Sequence, residues 1–250
     1  MKTVGWGVAG GAGSPMASGK ARAESGPKLI LASGSARRRM IFQALGLRFA
    51  AVTSGLEEPA CAGQEPEAFV RSLAGAKARA VVEQMKLRTA PPWVVAADTV
   101  VVVDRAVFGQ PADVHDARRM MRALAGRGHE VLTAVSIWSG PIEVVGFVET
   151  TVVRFRALEA TELERYLLDG DWRGKAGAYA IQGAAGAFVL AVEGDAWNVV
   201  GFPVRSFLDR ARAAGIPMPQ ERAVRPGLAR LWPVADDELF ADRRWGPRWG

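Results

Sequence analysis

The sequence predicts an α/β protein, and three features of its pattern carry that expectation. Segments of strand character alternate with segments whose apolar residues recur at helical spacing. β-Branched runs flank a single aspartate between Trp93 and Val103, the strongest strand signal in the chain. Two long strand-like segments, Glu130–Trp138 and Glu143–Phe155, follow one another across the turn Ser139-Gly140-Pro141.

The elements are expected in this order. Lys28–Ala32 reads as a short strand, and Ala36–Leu45 as a helix stopped by Gly46, which tolerates the left-handed conformation at a helix end. Phe49–Thr53 is a strand. Pro66, favourable in a first helical turn, opens a helix to Gln84. Trp93–Val103 is a strand, and Asp113 caps a helix that ends at Leu124. After the two long strands, Thr161–Leu168 is a helix with a capping-box pattern, Thr161 to Glu164. Ala187–Val192 is a strand and Pro203–Ala214 a final helix. No repeat of solenoid spacing is found.

The chain has 250 residues, 49% of them hydrophobic, enough for a substantial core. Charged residues make up 23%, which sets it apart from disordered chains. Residues 1–27, rich in Gly, Ala and Ser, are expected to form a flexible extension. The folded domain is expected over 28–215. Residues 216–250, with several Pro and Arg plus Trp232, Trp245 and Trp249, form a C-terminal tail that packs on the surface, stays disordered or marks a contact site.

The single cysteine, Cys61, excludes an intrachain disulfide and a Cys-rich zinc site. Two histidines, His115 and His129, offer little for a His-based one. A metal would therefore be a hard cation on carboxylates, Mg²⁺ or Mn²⁺. No apolar run of about 18 residues suggests a membrane span, and the N-terminus makes a poor signal peptide, so the cytoplasm is the expected location. The net charge of +6 suits a phosphate-rich ligand but is also common by composition alone.

Two phosphate-binding patterns fail on context. Gly5-Trp6-Gly7-Val8-Ala9-Gly10 matches G-x-G-x-x-G without a preceding strand. Ser18-Gly19-Lys20 lacks both the first glycine of a P-loop, where Ser14 stands, and the hydroxyl residue, where Ala21 stands.

Five other segments survive. Ser33, Ser35, Arg37 and Arg38 fall where a strand meets a helix, so hydroxyls, guanidinium groups and free helix N–H groups could gather on phosphate. A solvated basic helix face would have the same residues. Asp98 interrupts an apolar strand, where a carboxylate is costly unless paired or bound to metal. Glu57 and Glu58 could give a second carboxylate ligand, or be a solvated loop pair. Lys77 lies on a helix of small residues and could reach a phosphate, or be a surface lysine. In the segment from Gly174 to Gly183, small residues permit close backbone approach and Gln182 can read a base edge, though a structural loop reads similarly.

In their order, these segments resemble the Maf family of nucleotide pyrophosphatases from about Lys28 to Ala214. Residues 33–38 are similar to S-x-S-P-R-R, with Ala36 for Pro; Glu58 stands at the loop carboxylate; Lys77 matches the lysine of L-A-x-x-K-A. Asp98-Thr99-Val100-Val101 matches D-T-V-V, and Leu124–Val131 is similar to L-S-G-x-x-H-x-V. Lys175–Gly183 resembles K-A-G-A-Y-G-I-Q-G, and Asn198–Pro203 resembles N-V-V-G-L-P.

The resemblance implies a Maf/ITPase-like fold: an elongated mixed sheet with flanking helices, in two lobes around a central cleft. It implies a homodimer that hydrolyses a nucleoside triphosphate to monophosphate and pyrophosphate with Mg²⁺ or Mn²⁺. Arg37, Thr99 and Gln182 match the subgroup acting on dTTP and UTP, and modified pyrimidine triphosphates fit the same expectation. Asp98 is the implied catalytic base. Glu58 and Asp98 are the implied metal ligands, and Ser33, Ser35, Arg37, Arg38 and Lys77 the phosphate-binding set. Neither membrane nor nucleic acid is an expected partner.

One departure matters. Phe108-Gly109-Gln110-Pro111 stands where the family has G-K-P, so a positive charge is missing; Arg105 is a candidate to replace it. Two rivals follow: a catalytically weakened relative with a regulatory role in cell division, and a pyrophosphatase for noncanonical purine triphosphates. A third, nucleic-acid binding by the basic tail, predicts steeply salt-dependent affinity.

Overall fold

The computed structural model describes residues 28–57, 61 and 63–232. The expected extension at 1–27, with its two failed phosphate patterns, Glu58, and residues 233–250 of the tail lie outside the described residues.

The buried strand β1 (Leu29–Leu31) runs into a turn that opens α1 (Ala36–Ala44). Ser35 caps this helix, its Oγ accepting the Arg38 N–H at 3.4 Å. Gly46, at φ 65°, stops the chain after α1, and β2 (Phe49–Ala51) returns parallel to β1. Pro66 opens α2 (Pro66–Gln84), which leads over to β3 (Trp93–Val103), parallel to β1 on its other edge. β4 (Ala106–Phe108) folds back on the end of β3 through Asp104 and Arg105, both at positive φ, as a two-residue hairpin demands.

Asp113 caps α3 (Val114–Leu124), its Oδ1 accepting the Asp116 N–H at 2.8 Å. The long antiparallel strands β5 (Gly128–Ser139) and β6 (Ile142–Phe155) precede α4 (Ala160–Asp169) and β7 (Val189–Glu193). Three helices close the described chain: α5 (Ala196–Val200), α6 (Val204–Ala213) and α7 (Glu221–Leu231). The strands form one mixed sheet in the order β2-β1-β3-β5-β6-β7, with β4 attached to β3. The expected α/β class and mixed sheet are present.

Strand β3 positions the site. Its first residues, Trp93–Val95, pair with β1, and Val101–Val103 pair with β4. Between these two pairings, among the described residues, no strand covers residues 96–100 on that edge, although β5 pairs along the opposite edge throughout. A crevice therefore opens past the end of β1, where parallel strands end and ligands of open α/β sheets bind.

Side-chain alternation along β3 then divides the chemistry. Val94, Ala96, Val100 and Val102 pack on the face covered by α2, with Val70, Leu73, Ala74, Ala78 and Val81. Asp98 has the same parity and meets α2. Val95, Ala97, Val101 and Val103 belong to the main core on the other face. Thr99 shares that parity.

Helix α2 and strand β3 have the expected bounds. The capping box at Thr161 does not form: α4 starts after Glu159, and no side chain caps it. Glu164 is instead taken by Arg118 of α3, whose Nε and Nη2 donate to its two oxygens at 2.7 and 2.6 Å. A bidentate guanidinium bond outcompetes a single backbone N–H. The strand expected from Ala187 starts at Val189, because residues 184–188 form a 3₁₀ turn.

Helix α7 lies within the segment read as a tail, and its Val224 and Leu228 are buried in the main core. It packs against α1 so closely that a Cβ at Gly227 would lie 2.1 Å from the Ala44 carbonyl oxygen. In an isolated helix Gly→Ala stabilises by about 1 kcal/mol. Here Gly227→Ala is expected to destabilise by roughly 1–3 kcal/mol, the scale of overpacking, as read from urea unfolding.

Candidate active site

The crevice beside β3 is a cleft of about 1080 Å³. Ser33, Ser35, Arg37, Arg38, Lys77, Asp98, Thr99 and Gln182 all line it. Eight of the nine residues expected from sequence thus meet in one cavity; the ninth, Glu58, lies outside the described residues. Glu57 is exposed.

Three pieces of local structure explain the convergence. Residues 33–38 bridge β1 and α1 at the mouth of the crevice. Ser33 is buried, and its Oγ accepts the Ser35 N–H at 3.2 Å. Arg38 leaves the helix surface and turns inward. Its Nε donates to the Gly201 carbonyl and its Nη2 to Thr99 Oγ1, both at 2.9 Å. Its Nη1 also reaches Ser33 Oγ at 3.4 Å. Arg37 is half-buried at the same turn. Burial pulls its guanidinium below the ordinary arginine value, and the charge of Asp171 acts in the opposite direction. Three arginines at a helix start oppose the helix dipole, so an anion is the natural complement of this turn.

The second piece is α2. Lys77 interrupts its apolar stripe, between Leu73 and Ala74 on one side and Ala78 and Val81 on the other. The stripe faces β3, so the ammonium meets Asp98, and Lys77 Nζ donates to Asp98 Oδ1. The pair is largely withdrawn from solvent, with side chains 13% and 7% exposed. Asp98 is the only carboxylate among the described residues lining the cleft.

The third piece is the loop that carries Gln182. Asp171 holds it: Oδ2 accepts the Ala184 N–H at 3.2 Å, and Lys175 Nζ donates to Oδ1 at 2.6 Å. Asp171 therefore ties the loop down while facing Arg37, a role without a local sequence signal. Gln182 itself is exposed on the cleft wall. Nearby, Gly177 sits at φ 66° with its Cα so close to Val101 that a Cβ would lie 2.7 Å from Val101 Cγ2. Only glycine fits both demands.

Gln110 also lines the cleft, as a neutral side chain. Arg105 does not take up the missing charge. Its guanidinium pairs with Glu65 at 2.5 Å on the open surface, 81% exposed, away from the cleft lining. The hairpin geometry that puts Arg105 at positive φ turns it outward.

Sequence reasoning gives Thr133 no role and marks Asn198 only as the first residue of a matched segment. Both are fully buried beneath the cleft floor. Thr133 lies 2.9 Å from Thr99 and donates to the Asn198 carbonyl at 3.1 Å. For Thr133 the one available signal is a hydroxyl in the middle of the apolar run of β5.

Two buried titratable groups brace this floor. His129 shares a hydrogen bond of 2.9 Å with the cleft residue Tyr179, and burial holds its imidazole down to about 4. Asp195 caps α5, and burial, with a smaller push from Glu149, raises its carboxyl to about 7 against the Trp197 N–H.

Among the described residues no group of three His, Cys, Asp or Glu side chains could hold a metal. No helix among them is long and apolar enough to cross a membrane.

A family model described as Maf-like protein matches residues 28–214. The dTTP/UTP pyrophosphatase of Anaeromyxobacter sp. (strain Fw109-5) is 42% identical over 197 residues, covering 77% of this chain and 92% of that protein. Proteins of the same name from Pelotomaculum thermopropionicum and Bordetella parapertussis are 40% identical over 189 residues and 43% over 201. These matches cover 75% and 77% of this chain, and 97% and 95% of the relatives. Among solved structures, a HAM1 protein from Coxiella burnetii aligns with 52% of this chain and 73% of its own, at a TM-score of 0.35 and 14% identity.

The two braces give opposite dependences on pH. The folded state keeps His129 neutral where an unfolded imidazole, near 6.5, takes a proton, so its contribution is full above 6.5 and is lost as pH falls towards 4. The folded state keeps Asp195 protonated where an unfolded carboxyl, near 3.8, releases its proton, so its contribution is full below 3.8 and is lost as pH rises through 7. His129→Gln should unmask a fall in stability with rising pH, and Asp195→Asn a fall with decreasing pH. Each slope should reach up to about 1.4 kcal/mol per pH unit in urea titrations, while the wild type changes less.

Proposed function

The chain belongs to the Maf family, and on that premise we propose that it hydrolyses dTTP and UTP, with modified pyrimidine triphosphates of similar shape, to the monophosphate and pyrophosphate. The observation that carries this reading is the meeting of three cationic side chains and one carboxylate, Arg37, Arg38, Lys77 and Asp98, on a single cleft of about 1080 Å³. A polyphosphate needs concentrated positive charge, and its hydrolysis needs a proton acceptor beside it.

In this reading the triphosphate lies across the turn at residues 33–38. The hydroxyls of Ser33 and Ser35 and the N-terminus of α1 hold phosphate oxygens, while Arg37 and Arg38 neutralise charge that grows as pyrophosphate departs. Lys77 neutralises the phosphates from the α2 side. A carboxylate oxygen of Asp98 takes the proton from the water that attacks the α-phosphorus. Gln182 and Thr99 hydrogen-bond the pyrimidine, and Arg37 contributes to the choice of base.

The donor set suits a hard divalent cation. One carboxylate opens on a cleft whose other polar side chains are hydroxyl, thiol, amide and cationic groups set among apolar residues, and Mg²⁺ commonly takes one or two carboxylates together with substrate phosphates. Asp98 would hold Mg²⁺ or Mn²⁺, joined through the resemblance by Glu58. When bound, the ion would supply charge neutralisation and a lower pKa for water. The homodimer accompanies the reading through the resemblance alone, and the cytoplasmic location through the sequence, which holds no apolar run of about 18 residues.

Gln110 favours a second reading, a weakened relative with a regulatory role in cell division. The neutral amide lines the cleft, and Arg105 is turned away from it.

Three measurements test these statements. Asp98→Asn should lower kcat for dTTP by roughly 10²-fold or more with the circular dichroism spectrum unchanged. Chelation should abolish pyrophosphate release, and added Mg²⁺ or Mn²⁺ should restore it. Gln110→Lys should change kcat/KM by less than about tenfold, one charge contact being worth on the order of 1 kcal/mol in a solvated cleft. A sharp rise from near zero would favour the regulatory reading.

A further inference from the structure

We infer that Thr133, a side chain outside the cleft, sets the base preference of the site by claiming the one hydroxyl hydrogen of Thr99. The inference rests on the pyrimidine reading above in one respect, that the base meets Thr99.

Hydrogen-bond directions follow from what each group can do. Thr133 is fully buried, and its Oγ1 lies 3.1 Å from the Asn198 carbonyl, which can only accept. The single hydrogen of Thr133 is thereby committed. At 2.9 Å from Thr99 Oγ1, Thr133 then acts as acceptor, and Thr99 must donate. On its other side Thr99 accepts from Arg38 Nη2 at 2.9 Å, and a guanidinium has no acceptor to offer in return. One polarised run results: Arg38 to Thr99, Thr99 to Thr133, Thr133 to the Asn198 carbonyl. Each member strengthens the next.

The terminus of this run is fixed. The Asn198 carbonyl also accepts the Gly201 N–H at 2.9 Å, and the Gly201 carbonyl accepts Arg38 Nε, which closes a ring of bonds. The Asn198 side-chain amide donates to the Val131 carbonyl at 2.9 Å and to Thr151 Oγ1 at 3.1 Å. Asn198 cannot swing away to release Thr133.

Thr99 therefore faces the cleft without a hydrogen to give. A ligand group that reaches it must be a donor. Thymine and uracil present an imide N–H between two carbonyls. Cytosine has an unprotonated ring nitrogen at that position, whose lone pair would oppose that of Thr99. Thr133 is thus a positioning residue for specificity, acting through Thr99.

Calorimetric titration with the non-hydrolysable α,β-methylene analogues of dTTP and dCTP tests this without turnover. Thr133→Val keeps the side-chain shape and removes the oxygen that takes the Thr99 hydrogen, so Thr99 can turn it into the cleft. Thr133→Ser retains the oxygen. The wild type and Thr133→Ser should prefer the dTTP analogue. In Thr133→Val that preference should shrink by roughly tenfold, the scale of one hydrogen bond, through tighter binding of the dCTP analogue. Thr133→Ala, which also lacks the oxygen, carries the same expectation if the valine variant does not fold. An undiminished preference, an equal loss for both analogues, or a wild type without preference would overturn the inference. Failure of the wild type to release pyrophosphate from dTTP would defeat the proposed activity while these binding ratios still decide the role of Thr133.

Discussion

Asp98 can sit in the apolar centre of β3 only because a cation meets it, and the position of that cation orders the rest of the site. A carboxylate moved out of water without a partner costs several kcal/mol, of order 5 even after relaxation. Lys77 reaches it from the middle of the apolar stripe of α2, so the contact that settles the charge also fixes the register of helix on strand. Both side chains open on the cleft, which keeps them accessible to a ligand while most of their surface is covered.

The two-residue period of β3 does the remaining sorting. Asp98 points to α2, and the next side chain, Thr99, points to the opposite layer, where Arg38, Thr133 and the turn at 198–201 collect. The carboxylate–ammonium pair and the hydroxyl hydrogen-bond network thus lie on opposite faces of one strand, next to each other along the cleft. The crevice exists because β1 stops at Leu31 and β4 starts pairing only at Val101. A longer β1 would cover the edge of residues 96–100 along which the cleft opens.

Much of this is legible in the sequence because it is local. Asp98 is visible as a polar interruption of a β-branched run, and α2 and β3 are long enough for their periods to set their limits. Strand β4 and helix α5, of three and five residues, are too short to show a period. Helix α7 is concealed by Pro226 and Gly227, which read as breakers, although the glycine is what allows the helix to approach α1. Thr161 and Glu164 make a capping pattern, but Arg118, distant in sequence, takes the glutamate. The duties of Thr133, Asn198 and Asp171 arise from tertiary contacts that no spacing rule encodes.

The central claim is that the carboxylate and cations of one cleft direct water to the α-phosphorus of a pyrimidine triphosphate. Turnover of dTTP in heavy-oxygen water, with the products separated and weighed by mass spectrometry, tests it most directly. The account predicts one heavy oxygen in the monophosphate and none in the pyrophosphate. Label in pyrophosphate, or release of orthophosphate in its place, would contradict it.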